Sequence, residues 1–70
     1  MLQIEFTLKT EYIELFKLFK LLGLCESGGV AKQVIADSQV KVNGVIETRK
    51  AFKVCPGQAV EFDGKIIVTT

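Results

Sequence analysis

Ser27, Gly28 and Gly29, with Lys32 one turn further on, form the stretch of this 70-residue chain whose residue types best suit an anion. A serine hydroxyl at a helix N-cap accepts a bond from a backbone N–H that the first turn leaves unpaired. Glycines let a ligand approach the backbone, while the N–H groups and the positive end of the helix dipole favour negative charge. An ordinary cap after a short turn is the alternative. It accounts for the serine but not for two glycines, which cost roughly 1 kcal/mol each inside a helix. The stretch is not a nucleotide-binding phosphate loop, because the second glycine, the lysine and the serine or threonine of that motif are missing at the required spacing. A second polar locus follows at Lys41, Asn43, Arg49 and Lys50. Asn43 and Gly44 supply the positive φ angles of a tight hairpin and are turn residues first. Lys41 alternates with Val40 and Val42, which exposes it beside that turn and near the second helix. With Lys17, Lys20 and Lys32, these cations define one candidate basic face. Such clusters bind phosphates together with backbone N–H groups, and arginine does so bidentately.

Other chemistries lack their actors. The chain has no histidine, the commonest general acid or base. Cys25 and Cys55 lie far apart without companion ligands, so a structural zinc site fails on ligand count. Cys25, just before the helix cap, is the one nucleophile candidate; its alternative, shared with Cys55, is a small semi-buried packing residue. Catalysis is not expected, nor is any cofactor or small-molecule substrate. The formal charge is only +1, but from Lys32 to Lys53 five basic residues face two acidic ones. Phe6, Phe16, Phe19, Phe52 and Phe62 all fall on apolar stripes and read as core. Recognition would then be of backbone and shape, as for structured RNA, rather than of unstacked bases. No signal peptide or membrane-length apolar run is evident, which predicts a cytoplasmic protein with free thiols and no membrane partner.

The elements that must position these residues follow from periodicity. Leu2, Ile4, Phe6 and Leu8 alternate with polar residues, predicting a strand. Thr10 is a candidate cap, with Glu11 and Glu14 in the first turn of a helix running to Leu22 and stopped by Gly23. Tyr12, Leu15, Phe16, Phe19 and Leu22 form its apolar stripe, with Leu18 at the margin. In the second helix Val30, Ala31, Val34 and Ile35 face inward and Lys32 faces solvent. A hairpin over 39–42 and 45–48, a turn at Pro56–Gly57, a strand over 59–62, a turn at Asp63–Gly64 and a strand over 65–69 complete the chain. This order predicts an α+β fold with a mostly antiparallel sheet of four to five strands, covered on one face by two helices. At this length residues 1–70 make a single domain, expected to be a monomer.

From Tyr12 to Phe62 the chain resembles the S-four RNA-binding domain, the alpha-L fold of small-subunit ribosomal protein four. The resemblance rests on LFKLFKLLGL (Leu15 to Leu24), ESGGVAKQVI (Glu26 to Ile35), VKVNGVIETRK (Val40 to Lys50) and PGQAVEF (Pro56 to Phe62). It looks closest to the small stand-alone bacterial members, the YbcJ-like and YaaA-like proteins. The resemblance implies non-catalytic binding of structured RNA, with ribosomal RNA or an assembly intermediate as the natural target. Carried over by position, it assigns Ser27, Gly28 and Lys32 to the helix part of the surface, and Lys41, Asn43, Arg49 and Lys50 to the hairpin part, with Lys20 beside them. Three positions depart from the family pattern: Ser38 replaces a glycine, Gln58 an aspartate, and Val30 a commonly polar residue. A protein–protein adaptor meeting an acidic partner with the same basic face is the alternative.

Overall fold

The computed structural model describes residues 2–70. Its elements are β1 (Leu2–Phe6), β2 (Ile13–Glu14), α1 (Leu15–Leu21), α2 (Gly28–Ala36), β3 (Lys41–Val42), β4 (Val45–Ile46), β5 (Lys53–Val54), β6 (Ala59–Phe62) and β7 (Lys65–Thr69). Five strands form a sheet in the order β1-β7-β6-β3-β4, and β2 pairs with β5 in a separate two-stranded ladder. The pairings are antiparallel except for β1 with β7, where Leu2 to Phe6 run parallel to Lys65 to Thr69. The α+β expectation holds, with two helices on one face of a mostly antiparallel sheet.

Alternation along the strands decides which face is covered. Val42, Val60 and Ile67 point inward and pack with Leu15, Leu18 and Phe19 of α1 and Ala31 and Ile35 of α2. Phe19 and Phe62 add a tilted ring contact at 5.0 Å between centroids. Lys41 and Glu61, cross-strand partners, therefore stand on the opposite, uncovered face. Two further hydrogen-bonded fixtures hold the rim. In the turn from Cys55 to Gln58, Gly57 has φ of 92° and the Gln58 N–H donates to the Cys55 carbonyl at 3.2 Å. The Gln58 Oε1 accepts from the Cys55 N–H at 2.7 Å, which closes the turn with a side chain. The buried Thr69 hydroxyl lies 2.8 Å from the Cys55 carbonyl and 2.7 Å from that of Gln58, and accepts from the Gln58 N–H at 3.1 Å. No helix among the described residues is long and apolar enough to cross a membrane.

The first helix differs from its sequence expectation. It starts at Leu15, not after Thr10, because Ile13 and Glu14 are taken up in pairing with Val54 and Lys53. Thr10 instead donates its hydroxyl proton to the Tyr12 carbonyl at 2.7 Å. Tyr12 lies outside the helix and is exposed, and Leu18, expected at the margin, is fully buried. Glu14 makes no side-chain cap bond. The segment 49–53 supplies caps from outside: the Phe52 carbonyl accepts from the Leu15 N–H at 2.9 Å, and the Lys50 carbonyl from the Phe16 N–H at 3.1 Å. These are the first orphan donors of the helix, so a remote piece of chain sets its start.

Both helices end in the same way. After α1 the Gly23 N–H bonds the Lys20 carbonyl and the Leu24 N–H the Phe19 carbonyl, with Gly23 at φ 70°. After α2 the Ser38 N–H bonds the Ile35 carbonyl and the Gln39 N–H the Val34 carbonyl, with Ser38 at φ 62°. Ser38 thus occupies a left-handed cap position that suits glycine. The hairpin strands are shorter than 39–42 and 45–48, and Asn43 and Gly44 take φ of 51° and 82° as its turn requires.

Candidate nucleic-acid interface

The start of α2 is built as its residues dictate. Ser27 is the N-cap, and its Oγ accepts from the Val30 N–H at 3.2 Å. Gly28 already lies in the helix. Its neighbour is the ring of Phe16: a Cβ at Gly28 would stand 3.8 Å from that ring, an ordinary contact. Lys32, one turn later, holds its ammonium 4.7 Å from the Phe16 centroid, and Lys17 stands 5.9 Å from it. The Lys50 carbonyl is bonded to the Phe16 N–H. One half-buried phenyl ring thereby gathers Gly28, Lys17, Lys32 and the backbone of Lys50. Lys20 is exposed one helical turn after Phe16, on the same side of α1.

The segment 49–53 carries three more cations. The Arg49 guanidinium grips the Glu47 carboxylate through two parallel bonds, at 2.9 and 3.0 Å, and lies 5.1 Å from the Phe52 centroid. These bonds hold the Glu47 carboxyl below the usual carboxylate range and push the Arg49 pKa up. Lys53 stands over Tyr12 at 4.9 Å. Lys17 pairs with Glu14 at 3.1 Å, whereas Lys20, Lys32, Lys50 and Lys53 make no ion pair among the described residues.

Two of the expected site residues lie elsewhere. Lys41 is exposed on the uncovered face of the sheet opposite Glu61, where it shares a shallow cleft with Ser38 and Gln39 at the end of α2 and not with the Gly28 helix start. Asn43 uses its side-chain oxygen in the fold, its Oδ1 accepting from the Ala59 N–H at 2.9 Å. Ser27, Gly28, Lys32 and Lys50 are brought together, with Arg49 adjoining through the same segment. Phe16 and Phe52, read from the sequence as plain core, are half-buried rings carrying cations on their faces. Lys32 four residues after Gly28, with Phe16 one turn before Lys20, was the only available signal, since contacts between helices leave no periodic trace. Val30 is exposed rather than inward-facing. Both cysteines are free, Cys55 is exposed rather than semi-buried, and burial pushes the Cys25 thiol pKa up, which opposes a reactive thiolate.

The alpha-L arrangement, with its capped glycine helix and adjoining cationic segment, is that of the S4 domain, whose sequence model matches residues 6–70; the chain belongs to this family. Among its relatives, YbcJ of Escherichia coli (strain K12) is 52% identical over 56 residues, 80% of each chain. RlbA of Bacillus subtilis (strain 168), named as a probable ribosome maturation protein, is 34% identical over 58 residues, 83% of this chain and 82% of that one. A solution structure of Escherichia coli YbcJ, described as revealing an alpha-L motif involved in RNA binding, matches with a TM-score of 0.67 at 48% identity, over 91% of this chain and 85% of that one.

Proposed function

We propose that this protein binds structured RNA without catalysing a reaction, and that its target is ribosomal RNA or a ribosome-assembly intermediate. The observation that carries the reading is the convergence of Lys17, Lys32 and the Lys50 backbone on Phe16 beside the Gly28 helix start. It sets the Lys32 ammonium beside the backbone N–H groups of a helix start, the pairing that phosphates select. The likeness to YbcJ supports RNA as the ligand class, and that to RlbA supports a ribosomal target. The proposed contact surface comprises Ser27, Gly28 and Lys32 of α2, Lys20 of α1, and Arg49 and Lys50.

Ultraviolet crosslinking of the tagged protein in cells, followed by sequencing of the attached RNA, tests the reading. The control is the exposed pair Lys32→Glu and Lys50→Glu. A defined set of crosslinks in structured ribosomal RNA, lost in the control, is the expected result. With the recovered RNA in vitro, log affinity should fall against log salt by roughly 0.7 to 0.9 per phosphate contacted. Equal recovery by wild type and control, or affinity indifferent to salt, would overturn RNA binding and favour a protein partner for the same face.

A further inference from the structure

Beside the phosphate-binding surface lies an open cleft of about 780 Å³, between the last turn of α2 at Ala36 and the segment 48–53. Its apolar lining comes from Ala36, Ala51 and Phe52, its cations from Arg49, Lys50 and Lys53, and no acidic side chain lines it. The volume falls within the range of small-ligand sites, roughly 300–1,000 Å³. The Arg49 guanidinium stands over the Phe52 ring, 5.1 Å from its centroid, which leaves no gap for a base between them and makes the outer side of this stacked pair the platform a nucleobase can use. Glu47 keeps that guanidinium in place through both of its carboxylate oxygens.

We infer that this cleft receives a single unpaired nucleotide of the bound RNA, its base stacked on the outer side of the Arg49–Phe52 pair and its flanking phosphates met by Lys50 and Lys53. The inference rests on the RNA-binding reading above and adds a base-level contact to it. Charge complementarity selects this occupant, because a cationic rim around an apolar floor matches a base between two phosphates. An extended peptide is a poor match. The carbonyls of Lys50 and Phe52 are already bonded to α1 and the Phe52 N–H to the Arg49 carbonyl, so the segment has little backbone left for strand addition.

The test uses two RNA hairpins of equal stem length, one fully paired and one carrying a single 2-aminopurine bulge, with affinity read by anisotropy of an end label. Wild type should bind the bulged hairpin about tenfold more tightly, as expected for one stacked base. The 2-aminopurine emission should fall on binding. Phe52→Leu, which takes away the ring beneath Arg49 but keeps an apolar side chain against the core, should erase the preference. Ala36→Met, at an exposed position, should do the same by filling the cleft, with an unchanged thermal transition. Equal affinity of wild type for both hairpins, or a preference that survives in both variants, would overturn the inference alone. Binding of neither hairpin would overturn it together with the RNA-binding reading.

Discussion

Glu47 and Arg49 show how a side chain's charge and its availability separate. Arg49 is the cation with the best geometry for phosphate, yet its fork is occupied by a carboxylate two residues away. Lys32 and Lys50 lack such a partner among the described residues and are the freer contacts. The pair also has a pH signature. Because the folded Glu47 pKa lies below its unfolded value, the pair stabilises the fold above the usual carboxylate range, and this is lost as pH falls through the lowered pKa. Arg49 is exposed, so solvent screening keeps the effect small. Wild type should melt slightly above Glu47→Gln at neutral pH, and the gap should close on acidification. Thermal scans across the acid range check this; a gap independent of pH would show that the carboxylate's charge contributes nothing.

At the scale of elements, the end of α2 carries a correctable flaw. Ser38 holds a left-handed conformation at φ 62°, which costs an L-residue roughly 1–2 kcal/mol, part of it offset by glycine's greater unfolded freedom. Ser38→Gly should therefore raise stability by about 1 kcal/mol, read as a shifted urea midpoint with an unchanged slope. A lower midpoint would mean that the serine side chain contributes something the backbone conformation does not reveal. The end of α1, all three turns and the last two strands were legible in the sequence because each is fixed by local chemistry: Gly23, Asn43–Gly44, Pro56–Gly57, Asp63–Gly64 and the alternation from Ala59 onward. The start of α1 was not. Glu11 and Glu14 make a plausible first turn, but pairing with Lys53 and Val54 overrides them from about forty residues away. The candidate site divides along the same line. Ser27 as a cap was readable, whereas the apposition of Phe16 with Lys32 depends on how two helices pack.

Across the whole molecule, the parallel pairing of β1 with β7 lays the first described strand beside the last. This makes β7 an interior strand and closes the covered face over Ile67. Deleting residues 2–8 should expose that strand as an apolar edge and abolish the cooperative thermal transition, as followed by circular dichroism. A sharp transition in the shortened chain would show that β1 is dispensable. The two faces of the sheet also divide the electrostatics. Lys41 faces Glu61 on the open side, while the unpaired lysines at 20, 32, 50 and 53 lie with the helices and the segment that caps α1. That segment does two jobs with the same atoms' neighbours: its carbonyls at Lys50 and Phe52 hold the Leu15 and Phe16 amides while its side chains face the cleft. The two amide protons are therefore a built-in gauge. Their hydrogen-exchange rates report the docking of the segment, quickening when it lifts from α1 and slowing when an occupant clamps it down, with no label attached anywhere on the protein.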